Sequence, residues 1–524
     1  MRSRKPAYED KSAASGPGNP LDYGAVYDGV TDCSKAINDC ILKHDRVVFS
    51  GGQCVALCKS PLIVRSNTWL DLDPGFTIKL ADNANCVLIK NQWAEQAYFT
   101  EKNGVPGFIN EIYQGFDKAN WVLGEADINI KITGGMLDGN GANQMRQDYR
   151  HGCYGYWGTL LSLVHVKGVT IRDIFLYDAN TYNTDFCKIE NFEFRNIRFD
   201  YREARPNIDG IHCEGECRNG IIENIWGRTF DDMVALNGGD CWKPKSIGGP
   251  ITPEADRLWY PFCQGRIENI LIKGIFANDG YRGVRLLANS LSEASVAGET
   301  EGMNGIIIDG IYGTYKVDCL IVSGWHGVPK TYENIVLANI SASLTEGTNN
   351  YIWTENVIIK NITIDNFSAI YDGNGIARKA INVGGTVEKM TLRNCTFSTE
   401  STKNKTITAV PFIEASEGNS IKHLVVDDCR MVSGINTAIK GNIEKLTLIE
   451  STIDCPTVLD CRSVDVAEDM CVITGSNAAS NECKRARTKN LIITSNPTSP
   501  IKGDTIQRED GAFIFNGVEF ISVI

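Results

Sequence analysis

Residues 169–200 read VTIRDIFLYDANTYNTDFCKIENFEFRNIRFD. One short phrase occurs in it twice, as Ile171-Arg-Asp-Ile174 and as Phe194-Arg-Asn-Ile197. Apolar residues alternate around each copy, as in Val169-Thr-Ile171, which is the period of a strand. The Asp, Asn or Gly before the last apolar residue is a bend former. The phrase returns as Ile222-Glu-Asn-Ile225, Ile272-Lys-Gly-Ile275, Ile308-Asp-Gly-Ile311 and Leu337-Ala-Asn-Ile340. Later copies are Ile359-Lys-Asn-Ile362, Leu392-Arg-Asn-Cys395 and Val426-Asp-Asp-Cys429. From one third position to the next the steps are 23, 28, 50, 36, 29, 22, 33 and 34 residues, and the step of 50 reads as two turns of about 25. Periods in this range mark stacked repeats. Leucine-rich L-x-x-L-x-L frames are missing, and so are long 3.6-period stretches. The fold class that remains is all-β, a right-handed parallel β-helix in which each turn gives two or three short strands.

Outward from these coils, residues 20–480 read as the β-helix domain, 1–19 as a flexible polar tail and 481–524 as C-terminal capping strands. A solenoid needs a cap, because its first repeat otherwise exposes apolar surface and strand edges. Thr31 or Asp32 can start a capping helix near 32–44 that buries Ala36, Ile37, Cys40 and Ile41. The strand Arg46–Ser50 follows it. The uneven steps place insertions on loops, the largest between Asp232 and Ile272, and such loops commonly wall a groove.

Acidic residues outnumber basic ones, 64 to 52, giving a net charge of −12. With no Lys/Arg run and no basic face, nucleic acid is not an expected partner. No stretch is long and apolar enough to span a bilayer, so no membrane partner is expected either. The first twenty residues lack an apolar signal-peptide region, which points to a cytoplasmic protein, or a secreted one if this N-terminus is incomplete. The 18 cysteines are scattered, several in apolar slots of strand-like runs, and read as buried free thiols. The C-x3-C pairs Cys54/Cys58 and Cys213/Cys217 lack the partners of a zinc site. Neither a metal nor a cofactor is expected, and the oligomeric state is open.

The densest polar stretch is PNIDGIHCEGECRNGIIENIWGRTFDDMVALNGGD, residues 206–240. Asp209 and Asp231 are 22 residues apart, about one turn, so Asp209 should stack beside the Asp231–Asp232 pair. Crowded carboxylates repel, and one then keeps its proton while its neighbours stay ionised. Glycoside hydrolysis uses that division of labour, with one acid for the leaving oxygen and one carboxylate for water. The same residues also suit Ca²⁺, or plain turns.

The sequence resembles glycoside hydrolase family 28, the polygalacturonase-like enzymes of the pectin lyase-like superfamily, over roughly residues 20–370. Tyr23-Gly-Ala-Val-Tyr-Asp-Gly-Val-Thr-Asp32 resembles an opening segment shared by many pectin-acting β-helix proteins. Gly134–Gly141 (GGMLDGNG) resembles the family's G-x-x-D-G-x-G turn. Asn207-Ile-Asp-Gly210 resembles its N-T-D-G motif and Phe230-Asp-Asp232 its G-D-D motif. The resemblance implies Asp231 as general acid, Asp209 and Asp232 as the residues that position and activate water, and inversion by single displacement. GYRGVRLL resembles the arginine–x–lysine motif, with Arg285 on the arginine and Leu287 on the lysine. The family's G-H-G histidine has no counterpart after Asp232. Without the lysine a uronate is less well provided for, and a different sugar, or an acidic one held by Arg285 with Arg282, Lys243 or Lys245, fits as well.

Further candidates for the carbohydrate substrate are His212, which closely follows the first motif, and Trp242 in the large insertion, with Trp259 and Tyr260. His326 and Trp325 lie in a Gly-Trp-His-Gly turn. The leading reading is a glycosidase acting on a pectin-like or related polysaccharide or oligosaccharide. A polysaccharide lyase with Ca²⁺-binding aspartates and Arg285 as base, and a non-catalytic glycan-binding β-helix, are its rivals.

Overall fold

The repeated phrase folds as strand, bend, strand. The computed structural model describes residues 16–94, 100–102, 105–107, 124–144, 158–239, 265–288, 302–324, 329–345, 350–371, 379–399, 410–461, 464–469, 471–476, 483–489, 492–493, 505–508, 511–515 and 520–522. In it Leu161–Tyr177 and Thr184–Asp200 pair in parallel, with Ile171 opposite Phe194 and Ile174 opposite Ile197. The next coil, Arg218–Gly227, sets Ile222 on Phe194 and Ile225 on Ile197. All six of these apolar side chains are buried. Inward residues of successive coils thus stack into one core, which is the parallel β-helix expected from the repeats.

The third position of the phrase has a particular backbone. Asp173, Asn196 and Asn224 lie at φ 57°, 55° and 56°. Only glycine, asparagine and aspartate visit this left-handed region readily. Their side chains also link the coils: Asn196 Nδ2 donates to Asp173 Oδ1 and Asn224 Nδ2 to Asn196 Oδ1, each at 2.7 Å. The bend residue therefore turns the chain and bonds the coil before it.

Two details of the repeat reading are corrected. Ile222 pairs directly with Ile272 and Ile225 with Ile275, so the step of 50 residues is a single coil carrying a long insertion. Further on, Leu337 and Ile340 pair with Ile364 and Phe367. The bend equivalent to Asn339 is therefore Asn366, at φ 52°, rather than Asn361. Local pattern could not decide this, because the phrase occurs twice within one strand, as Ile359-Lys-Asn-Ile362 and as Ile364-Asp-Asn-Phe367, and only pairing selects the copy that turns.

Two compact units divide the chain, Met1–Gly302 and Met303–Ile524. Near the start of the first, after the strand Asp28–Asp32, lies the helix Ser34–Lys43, whose Ala36, Ile37, Cys40 and Ile41 are buried as expected. Asp32 Oδ1 accepts from the backbone N–H of Ser34 at 3.0 Å and so serves the start of this helix. The strand Arg46–Phe49 follows and pairs with Trp69–Leu72. The second unit stacks Met303–Tyr315, Lys330–Leu344, Ile352–Tyr371, Ile381–Arg393, Ser420–Asp427 and Ile443–Ile449 in parallel. Parallel pairing continues through Cys483–Lys489 and Ile492–Ile493 to Thr505–Arg508, and the last two pairings among the described strands, Thr505–Arg508 with Gly511–Phe515 and that with Phe520–Ser522, are antiparallel. Cys54, Cys58, Cys213 and Cys217 are free thiols. No helix among the described residues is long and apolar enough to cross a membrane.

Candidate active site

The site lies within the first unit, where three short strands stack. Ile211–Glu214 pairs with Asp232–Gly239, and that with Arg282–Ala288. Ile211 stands opposite Val234 and Val234 opposite Val284, all three facing the core. His212, Ala235 and Arg285 form the adjoining column, and Asp232 stands opposite Arg282. The coils must approach closely here. The N–H of Gly210 donates to the carbonyl of Asp232 at 2.8 Å. A Cβ at position 210 would meet the Met233 carbonyl oxygen at 2.4 Å and the Phe199 ring at 3.0 Å. The glycine after Asp209 is what allows the two aspartate turns to touch.

Asp209, Asp231 and Asp232 come together, each with a carboxylate oxygen within 4.8 Å of the others. Their side chains differ in exposure: 4% for Asp209, 2% for Asp232 and 23% for Asp231. Asp231 is thus the carboxyl open to a ligand, and the other two form the wall behind it. Acids outnumber bases in this patch, with Asp209, Glu214, Asp231 and Asp232 against His212, Arg282 and Arg285.

Arg282 Nη1 donates to Asp232 Oδ1 at 2.7 Å and lies 3.7 Å from Asp231 Oδ1. Arg285 Nη1 lies 3.7 Å from Asp232 Oδ2. Burial, then the charges of Asp232 and Asp209, hold the proton on Asp231 well above the usual carboxylate range, with the two arginines opposing. Burial also pushes Asp209 up to about 6, against the hydrogen bond from His212. For His212 burial favours the neutral ring, but its bonds to Asp209 and Glu214 prevail and its pKa is raised. Asp231 therefore holds its proton to a higher pH than an ordinary carboxyl, and Asp209 lies against an imidazole whose own pKa is raised.

Three carboxylates at this spacing could hold a divalent cation. Calcium, however, asks for six to eight oxygen ligands, and one oxygen of Asp232 already accepts from Arg282. Guanidinium groups supply here the positive charge that a metal would bring.

Of the residues singled out from the sequence, the structure gathers Asp209, Asp231, Asp232, Arg282, Arg285 and His212 in one place. Trp242, Lys243, Lys245, Trp259, Tyr260, Trp325 and His326 lie outside the described residues. His212 lies behind Asp209, buried, with Nδ1 2.7 Å from Asp209 Oδ2. Leu287 is fully buried and stands opposite Asn237, which in turn stands opposite Glu214. Sequence reasoning passed over Glu214, Asn237, Tyr182 and Asn183, all of which touch the aspartate–histidine pair. Counting two residues on from His212 along an alternating strand finds Glu214, and one coil further finds Asn237. Nothing in the local pattern marks Tyr182 or Asn183, which sit in the turn of the coil before.

The site thus places three aspartates and two arginines on one wall of a parallel β-helix. Residues 103–244, the segment that carries all three aspartates, match the family model of Glycosyl hydrolases family 28. A polygalacturonase from Persea americana is 25% identical over 130 residues, which is 24% of this chain and 28% of that protein. The chain thus matches little more than a quarter of this relative's length. Among solved structures, a hyperthermoactive exopolygalacturonase from Thermotoga maritima is 16% identical, with a TM-score of 0.49 over 85% of this chain and 94% of that one. The Streptococcus pneumoniae surface adhesin PfbA is 15% identical, with a TM-score of 0.43 over 97% and 98%.

Proposed function

We propose that the protein is a glycoside hydrolase that cleaves a pectin-like or related polysaccharide or oligosaccharide. The observation that carries this is the graded carboxylate trio, gathered within 4.8 Å, of which Asp231 alone is partly open and has its proton held above the usual carboxylate range. Asp231 donates that proton to the leaving glycosidic oxygen. Asp209 and Asp232 hold a water molecule, and Asp209, ionised above about 6, takes its proton as the oxygen attacks the anomeric carbon. Arg282 fixes Asp232 through its 2.7 Å hydrogen bond and keeps it from turning toward Asp231. The lyase reading is less well served. A proton-abstracting arginine needs freedom from acids, and Arg285 stands 3.7 Å from Asp232.

The stereochemical course is part of the proposal. The family resemblance implies inversion. Paired inverting carboxyls usually stand ~6.5–9.5 Å apart and retaining ones ~5–5.5 Å. Oxygens within 4.8 Å favour, by spacing alone, a retaining displacement as second reading. We favour inversion because two wall carboxyls, rather than one, are available to grip water. A panel of neutral and uronate oligosaccharides, read by reducing-end release and by proton NMR of the first anomer formed, tests both points. Inverted product from at least one substrate supports the proposal. Retained product replaces the single displacement, unsaturated products select a lyase, and tight binding without turnover selects a glycan-binding protein.

A further inference from the structure

The side chain of His212 is too deeply buried to meet a sugar, yet both of its ring nitrogens have carboxylate partners in the site. Nδ1 stands 2.7 Å from Asp209 Oδ2 and Nε2 stands 3.2 Å from Glu214 Oε1, with the side-chain amide of Asn237 beside Nε2. The ring lies flat on Tyr182, with centroids 3.9 Å apart and planes 13° apart. The His212 backbone N–H donates to Thr184 Oγ1 at 3.0 Å. Two carboxylates accept from one imidazole only when both nitrogens carry protons. Residues of three successive coils therefore hold this ring in one place.

Asp209 explains what the ring is held for. Its carbonyl accepts from both the backbone N–H and the side-chain amide of Asn183, at 2.9 and 2.7 Å. Its main chain is pinned, and the rotation of its carboxyl is the freedom that remains. We propose that His212 is the positioning residue that sets this rotation: it occupies Oδ2 of Asp209 and leaves the other oxygen for the attacking water. Glu214, with one oxygen on the ring and the other buried without a hydrogen-bond partner, anchors the far side of the imidazole. The inference rests on the hydrolytic reading for its catalytic consequence, but not for its geometry.

Two substitutions separate positioning from packing. The amide nitrogen of asparagine falls close to Nδ1 of histidine, that of glutamine close to Nε2. His212→Asn therefore keeps a donor for Asp209 although it fills the site poorly, and His212→Gln fills it better but loses the donor. With the best substrate of the panel, His212→Asn should retain kcat to within about tenfold and His212→Gln should lose about 100-fold, with KM changed less than about twofold in both. Should His212→Gln fail to fold by thermal melting, His212→Leu takes its place as the variant without a donor. Equal loss in the two variants, a milder glutamine variant, or a raised KM at unchanged kcat overturns the proposal. If the wild-type protein releases no sugar at all, the hydrolytic reading fails on its own, and crystal structures of both variants decide the positioning role. Asp209 should keep its rotamer in His212→Asn and turn in His212→Gln; the same rotamer in both overturns it.

Discussion

At the scale of single residues, the site works by giving like side chains unlike surroundings. Asp231 is crowded by two other carboxyls in a poorly solvated place and so keeps its proton, while Asp209 is offset by an imidazolium. Two consequences follow for pH. The dependence of kcat/KM should be bell-shaped: activity rises as Asp209 ionises through about 6 and falls again at higher pH as Asp231 loses its proton. A rate flat from pH 5 to 8 contradicts this assignment. The second consequence concerns stability. Asp209 is an acid whose folded pKa is raised, so it binds a proton more tightly folded than unfolded. Its stabilising contribution is present below the unfolded value and is lost as pH rises through about 6, a change on the order of 3 kcal/mol. Urea unfolding of Asp209→Asn and wild type at pH 4 and pH 7 should show the variant gaining on wild type at the higher pH. A constant difference between the two contradicts the raised value.

At the scale of the strand and its bend, position is decided by pairing. The turn after Asp209 can lie against the turn after Asp231 only because residue 210 has no side chain. Gly210→Ala would drive a methyl group to 2.4 Å from the Met233 carbonyl oxygen, a backbone atom that cannot yield without separating the coils. It should cost about 1–3 kcal/mol by thermal unfolding and lower kcat at least tenfold, because the aspartates move apart. An alanine variant with wild-type stability and turnover contradicts the close approach. The same dependence on pairing explains what was legible in the sequence. Alternating residues and a periodic Asn/Asp/Gly bend identified the strands, the bends and the one-coil spacing of the aspartates. The two phrases around Asn361 and Asn366, Ile-Lys-Asn-Ile and Ile-Asp-Asn-Phe, were ambiguous, because both satisfy the local rule and only the neighbouring coil distinguishes them. The 50-residue step was ambiguous likewise, since length does not tell two coils from one coil with an insertion.

At the scale of the whole molecule, the chain comprises two β-helical units, and the first supplies every group of the site among the described residues. What the sequence left out is informative. Tyr182, Asn183, Glu214 and Asn237 are ordinary residues in ordinary turns and strands, and they acquire a role only because adjacent coils bring them around His212. Motif reading finds the groups that touch the reacting bond, and it misses those that hold them. Leu287, where the family motif has lysine, is buried opposite Asn237, so a uronate would have to rely on other cations. Comparing neutral with acidic substrates is therefore built into the panel above. The central claim is that three carboxyls divide the work of hydrolysis, with Asp231 as proton donor. The most direct measurement is the turnover of Asp231→Asn on the best oligosaccharide, with near-ultraviolet circular dichroism to monitor the fold. The account predicts an unchanged spectrum with kcat lowered about 1,000-fold or more; turnover within a few-fold of wild type would contradict it.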